Sequence, residues 1–392
     1  MRSHHVSGSA VGVVAGSHVA VTLLRDTAHG GDPSQPRAVA QQLTEFVAAA
    51  KTSVHIAIYD FRLSAALGKS FIDALIERAA SGLDVKIAYD HTKPNTKTTD
   101  AFIAMGGDPA PKGTHVAMKK HFAKTPVQTK AILTIPDAIA DKEVGTEPIE
   151  GSHLMHSKYI IRDAHTADAA VLTGSANFTD DAWTHQENNV LEIRSPELAQ
   201  YYETDFQELW ATGNIKSTGV NDLGSVWAGS SEIDVAFAPG EGPTIDSHVA
   251  ALISAARRRV KIASMVITSQ QILGALNDVL QNDRVPIDGI YDGSEMDHTV
   301  ATWKKSGSPQ LPLFDALAKH LVKKHSNVYS PTATHNFMHD KIVVCDDAIA
   351  TGSFNLSKNA TMNAENSLII HDTALADDYA AYIDQITAAY RK

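Results

Sequence analysis

Cysteine is nearly absent: Cys345 is the only one in 392 residues. No intrachain disulfide can form, and no cysteine-based zinc site. Cys345 closes the apolar run Ile342-Val343-Val344-Cys345, which predicts a buried strand and a small core residue rather than a nucleophile. Aromatic residues are also few, at 6%. The basic clusters are Lys112, Lys119, Lys120, Lys124 and Lys130; Arg257, Arg258 and Arg259; and Lys319, Lys323, Lys324 and His325. Phe122 is the main aromatic among them, so no stacking platform for single strands is evident. Positive charge is in deficit, with a formal net charge of −11. That disfavours non-specific binding to nucleic acid, although a local basic groove is compatible with an acidic whole. The 19 histidines make the chain less acidic below neutral pH. No apolar run approaches the roughly 20 residues of a membrane span. Residues 1–22 lack the basic start, apolar block and cleavage site of a secretory leader. The expectation is a soluble chain, cytoplasmic, or secreted if a leader preceded position 1.

What the sequence does contain is a repeat. In the first half a helix over 38–50 leads to the strand Val54-His55-Ile56-Ala57-Ile58-Tyr59, a helix over 65–80, and the strand Val85-Lys86-Ile87-Ala88-Tyr89-Asp90. In the second, a helix over 245–258 leads to a strand over 260–267, a helix over 271–280, and Ile287-Asp288-Gly289-Ile290-Tyr291-Asp292. The Tyr-Asp endings match. Strand–helix–strand order predicts an α/β fold with mostly parallel central sheets. Loops are expected over 92–111, 136–151 and 293–312, as candidate lids on the site. The Gly-, Ser- and Thr-rich stretch 213–229 marks a boundary. The organisation expected is an N-terminal extension (1–37), a first half (38–215), a linker (216–244) and a second half (245–392).

Two constellations follow the same order. The first is His156-Ser157-Lys158, Asp163, Gly174-Ser175-Ala176-Asn177 and Glu187-Asn188. The second is His339-Asp340-Lys341, Asp346, Gly352-Ser353-Phe354-Asn355 and Glu365-Asn366. His to Lys, Lys to Asp and Asn to Glu are equal intervals in both; Asp to Gly differs, as a longer turn between strands would make it. On a strand, residues two apart share a face, so each histidine projects with its lysine. Ser175 and Asn177, like Ser353 and Asn355, can do the same. A single His-x-Lys or Gly-Ser-x-Asn carries nothing; the ordered duplication does.

An imidazole, an ammonium and an amide from each half suit a phosphodiester. Lys158 and Lys341 would neutralise the non-bridging oxygens, and Asn177 and Asn355 would donate hydrogen bonds to them. One neutral imidazole can attack phosphorus to give a phosphohistidine. The other, protonated, can supply the leaving alcohol with its proton. Glu187 and Glu365 would each accept a hydrogen bond from a ring's remote nitrogen, fixing its tautomer. Asp163 and Asp346 are expected to cap strand ends or turns. The scheme uses no cofactor and no metal. A histidine zinc site is disfavoured by the lysines beside His156 and His339, and His153 and His335 are taken as strand-flank residues. Tyr59 or Asp60 could reach the site from the end of the first lead strand.

The pattern His-x-Lys-x4-Asp with Gly-Ser-x-Asn, present twice, resembles the phospholipase D superfamily, over about 38–370. That resemblance implies two similar α/β halves packed as a pseudo-twofold bilobal unit, with one site at the seam. It implies His156 as nucleophile and His339 as acid/base, with Asp163 and Asp346 outside phosphate contact. Three functions follow: a phospholipase D hydrolysing or exchanging phospholipid headgroups, a metal-independent endonuclease, or an inactive binding scaffold. The acidic charge favours phospholipid over nucleic acid and leaves room for peripheral contact with a membrane surface. Both motifs being intact argues against the scaffold. Oligomeric state is not legible.

Overall fold

The computed structural model describes residues 11–12, 18–91, 113–133, 153–216, 218–220, 222–282, 285–328 and 333–391. The loops expected over 92–111 and 136–151, and Lys112, lie outside the described residues.

The first half comprises β1 (Val11–Gly12), β2 (Val19–Leu24), α1 (Gln35–Ala48), β3 (Ser53–Ile58), β4 (Phe61–Arg62), α2 (Ala65–Ala80), β5 (Asp84–Asp90), α3 (Thr114–Phe122), β6 (Gln128–Ile132), β7 (Lys158–Arg162), β8 (Ala170–Gly174), β9 (Phe178–Thr179), α4 (Asp180–Thr184), β10 (Asn188–Ile193) and α5 (Pro196–Thr212). The second comprises β11 (Gly224–Ala228), β12 (Ser231–Ala238), α6 (Gly242–Ala255), β13 (Val260–Ser264), α7 (Gln270–Gln281), β14 (Ile287–Asp292), α8 (Gly293–Ser306), α9 (Gln310–Leu317), β15 (Leu321–Lys324), β16 (Lys341–Cys345), β17 (Ala348–Gly352), β18 (Glu365–His371) and α10 (Thr373–Tyr390).

Among the described residues, each half builds one eight-stranded sheet. The orders are β1-β2-β10-β8-β7-β3-β5-β6 and β11-β12-β18-β17-β16-β13-β14-β15. The two are the same order with homologous strands exchanged. The sheets are mixed. Parallel pairing belongs to the strand–helix–strand leads, β3–β5–β6 and β13–β14–β15. The other pairs between named strands of these sheets are antiparallel, because short turns return β7 onto β8 and β16 onto β17.

Three stretches differ from expectation. The N-terminal extension supplies β2, which pairs with β10 along six residues. The linker supplies β11 and β12, and β12 pairs with β18 in the equivalent place. Residues 293–312 are not a loop: α8 and α9 fill most of them. The Asp292 carboxylate caps α8 by accepting from Glu295 N at 3.1 Å, and Met296 and Trp303 are its buried side chains.

The largest apolar cluster joins the halves. It includes Tyr159, Leu191, Tyr202 and Phe206 from the first and Phe237, Ile342, Leu368 and Tyr379 from the second. Helix α5 packs on β3, β7 and β8 of its own sheet and on β11 and β12 of the other. A second cluster sits under α1 and α2, and a third under α6 and α7. No helix among the described residues is long and apolar enough to cross a membrane.

Candidate active site

The motif histidines sit just before β7 and β16, where the chain leaves its own sheet and pairs across the seam. Met155 bridges Ala364, and His156 N donates to Ala364 O at 2.8 Å. Reciprocally, Met338 bridges Glu187, and His339 N donates to Glu187 O at 3.1 Å. Two buried carboxylates fix these segments. Asp90 accepts from Met155 N at 2.8 Å and Asp292 from Met338 N at 2.9 Å. The paired Tyr-Asp endings of β5 and β14 therefore hold the residue that precedes each histidine. The sequence displayed that match without its purpose.

The partners of the two rings differ. His156 Nδ1 lies 2.8 Å from Glu365 Oε2, across the seam and as expected. Glu187 does not reach His339. Its Oε2 takes the Lys324 ammonium at 2.6 Å and its Oε1 the Tyr390 hydroxyl at 2.7 Å. His339 Nδ1 lies instead 2.9 Å from Asn188 Oδ1. The cause is a shift of one residue. Ser175 N donates to Asn189 O, and Ser353 N to Asn366 O. Asn189 and Asn366 are thus equivalent, so Glu365 corresponds to Asn188, and Glu187 to Ala364. The equal Asn-to-Glu interval aligned the wrong residues. A one-residue slip in a strand turns a side chain to the opposite face. There Glu187 meets Lys324, whose place opposite Asp292 is taken by Ile132 opposite Asp90 in the first half.

The Asn188 amide is held in one orientation. Its Nδ2 donates to Ala182 O at 3.0 Å and Gln186 Oε1 at 3.2 Å, leaving Oδ1 to accept. His339 Nδ1 must then carry the proton, and chemistry falls to Nε2. The Glu365 carboxylate gives His156 the same tautomer and adds a negative charge.

Each motif lysine turns back on its own histidine: Lys158 Nζ reaches His156 O at 2.5 Å and Lys341 Nζ reaches His339 O at 2.6 Å. All four groups are buried. Burial pulls His156 down to about 4, with Glu365 resisting and Lys158 and Lys341 assisting. Burial, then Lys341, Lys158 and His156, hold His339 well below its usual value, while the Ser175 backbone acts in the opposite direction. Burial brings Lys341 down to about 8, against Glu365 and Asp340. The groups feel one another across the seam, so cationic and imidazole side chains of both halves share one site. A bound phosphodiester anion would raise the proton affinity of both rings. The amide oxygens of Asn177 and Asn355 are buried and have no protein partner among the described residues.

The glycine and serine of each Gly-Ser-x-Asn element are structural. Gly174 and Gly352 have φ of 143° and 135°, and a β-carbon there would strike the carbonyl of Asn189 or Asn366. Ser175 and Ser353 accept from Asn189 N and Asn366 N, each at 2.9 Å. Asp163 and Asp346 lie at the far ends of their strands from the histidines. Asp163 accepts from the backbone of Lys51, Thr52 and Ser53, and Asp346 from that of Arg257, Arg258 and Arg259. Both have positive φ, 55° and 52°. They shape the turn entering β3 and β13.

Tyr59 does reach the site, its ring 4.8 Å from that of His156 and 5.2 Å from Lys158 Nζ. Asp60 accepts from Arg62, at 2.6 and 2.7 Å. His335 stacks on Phe337 at the flank, and His153 is half-buried outside the paired Met155. Asp340, between His339 and Lys341, pins the seam: it accepts from Tyr382 Oη at 2.7 Å, Asn189 Nδ2 at 2.9 Å and Ser175 Oγ at 3.2 Å. The basic clusters are partly consumed. Arg258 pairs with Asp347, Arg259 with Asp377 and Lys323 with Asp297, and Lys324 is buried.

Residues 43–210 and 249–387 match the profile of the family described as cardiolipin synthase, PLD-like domain. No curated protein matches the chain. Among solved structures, a phosphatidylserine synthase from Haemophilus influenzae superposes with a TM-score of 0.61 at 14% identity, covering 93% of this chain and 86% of that one. A polyphosphate kinase from Porphyromonas gingivalis gives 0.52 at 11% identity, covering 94% of this chain and 50% of that one. The phospholipase D family member Nuc from Salmonella typhimurium gives 0.32 at 19% identity, over 41% of this chain and 97% of its own. At these identities the likeness is one of fold. With the family profile spanning both halves and each half carrying its own motif, this chain belongs to the phospholipase D superfamily.

Proposed function

We propose that the chain is a phospholipase D-type phosphodiesterase that exchanges or hydrolyses phospholipid headgroups through a covalent phosphohistidine on His156. The observation that carries this is the asymmetric pair of ring partners, Glu365 on His156 and Asn188 on His339. When His156 Nε2 attacks phosphorus, a P–N bond forms and the ring gains positive charge. Glu365 stabilises that charge. The bond from phosphorus to the headgroup oxygen breaks, and His339 gives that oxygen its proton. An amide partner keeps the His339 imidazolium a comparatively strong acid, suited to this task. His339 then takes a proton from water or an alcohol, whose oxygen attacks phosphorus and releases His156. Lys158, Lys341, Asn177 and Asn355 bind the non-bridging oxygens throughout.

The phospholipid assignment draws support from the matched family and the phosphatidylserine synthase fold relative, both named for phospholipid synthesis. The ion pairs that occupy Arg258, Arg259 and Lys323 leave less free basic surface for a nucleic acid. The test is incubation with EDTA and either phosphatidylcholine vesicles or plasmid, with ethanol as a competing acceptor. Choline release with phosphatidylethanol formation is expected. Plasmid nicking without choline release would replace the lipid assignment with the nuclease, and silence on both would favour the scaffold.

A further inference from the structure

We propose that Asp205, Glu208 and Asp222 form a structural site for a hard divalent cation of the calcium class, tying the first half to the segment that leads into the second. Asp205 and Glu208 are on α5, and Asp222 is on the chain that enters β11. One carboxylate oxygen from each lies within 4.8 Å of the others. Calcium binds oxygens at about 2.3–2.6 Å, so ligands on opposite sides of one ion stand about 5 Å apart. The three therefore fit around a single ion.

A separate observation concerns Asp222 alone. Its side chain is fully buried, and among the described residues neither carboxylate oxygen has a hydrogen-bond partner from another residue. A buried carboxylate without donors is costly. Its charged neighbours are Asp205, Glu208 and Glu241, all of one sign. No lysine, arginine or histidine among the described residues forms an ion pair with Asp205, Glu208 or Asp222. A cation resolves both the missing partner and the repulsion.

The neighbouring donors orient the ligands. Asp205 accepts from Tyr159 Oη at 2.6 Å and Thr218 Oγ1 at 2.5 Å, and Glu208 accepts from Gly219 N at 3.0 Å. Each of these carboxylate oxygens keeps a second lone pair. All donors are hard oxygens, which select calcium over zinc or copper. Tyr159 follows Lys158 on β7 and so projects from the other face of the sheet. The cation is thus structural and separate from the phosphoryl chemistry.

The experiment uses the full chain, stripped with chelator and melted with calcium, magnesium or potassium chloride at matched ionic strength. Terbium serves as a luminescent calcium surrogate, sensitised by Tyr159. The expected result is a saturable rise in melting temperature of several degrees with calcium, and terbium luminescence that calcium displaces. Asp222→Asn should bind at least tenfold more weakly, with a calcium-free melting temperature at or above wild type. Glu208→Gln, altering a half-buried position on α5, should weaken binding in the same direction and provides the reading if Asp222→Asn does not fold. No calcium-specific shift and no sensitised luminescence in the wild type would overturn the proposal. So would an unaltered response in either variant; the ion would then be held elsewhere and these carboxyls would share protons.

Discussion

Glu187 and Glu365 occupy matched positions in the sequence and unlike positions in space, so exchanging each for glutamine separates two accounts of the site. Glu365→Gln removes a carboxylate 2.8 Å from His156 Nδ1 and leaves an amide of the same shape. At an effective dielectric near 20, a unit charge pair about 4 Å apart is worth about 4 kcal/mol. If most of that acts only as the ring becomes charged, turnover falls by about 10²–10³. Glu187→Gln removes the partner of Lys324, a pair in which both side chains are 1% exposed. Leaving a buried ammonium unpaired costs about 3–5 kcal/mol. Asp26 Oδ2, 3.6 Å from the same ammonium, offsets part of this, so the low end is expected. The assay is headgroup release per folded molecule, with melting temperature measured alongside. Glu365→Gln should melt near wild type with turnover largely lost. Glu187→Gln should melt well below wild type with turnover per folded molecule within about threefold of it, well under one decade. The reverse pattern, or equal loss of turnover in both, would refute the register shift and the roles built on it.

Other outcomes follow from the same geometry. Burial holds His156 near 4, below its value of about 6.5 in the unfolded chain. Between these values the unfolded state binds more protons, so this group's contribution is complete above about pH 6.5 and is lost as pH falls toward 4. Melting temperature measured over that window should drop, and His156→Asn should flatten the slope. Asp163→Ala removes the acceptor of three backbone N–H groups and places alanine at φ 55°, so a loss of about 2–4 kcal/mol in denaturant unfolding is expected, with turnover per folded molecule kept. Asp90→Ala frees Met155 N and loosens His156, so turnover should fall at least about tenfold in the headgroup assay.

The residues that the fold gathers at the seam were legible in the sequence, because duplication turns weak motifs into a strong one. His156, His339, Lys158 and Lys341 needed no coordinates to be named. The lead strands and helices were legible from periodicity, and α2 was expected over the residues it occupies. The strand one in from the sheet's edge was not: β2 alternates only partly and lies in a stretch without other landmarks. Helix α8 was hidden because Met296 and Trp303 are its only buried large side chains, too few for a periodic stripe. The expectation that Glu187 accepts from an imidazole failed for a different reason. Equal spacing in sequence does not guarantee equal register when a turn gains one residue. Lys324 carried the signal, as a basic residue ending a strand whose counterpart ends in Ile132.

The account rests on covalent capture of phosphorus by His156 at a seam shared with His339. Acid-quenched wild type and His339→Asn, mixed with phosphatidylcholine and digested for mass spectrometry, test it directly. A phosphatidyl adduct on the peptide holding His156, both formed and released more slowly in His339→Asn because the second ring serves both steps, is the predicted result. An adduct on neither histidine, or wild-type turnover in His156→Ala, would contradict it.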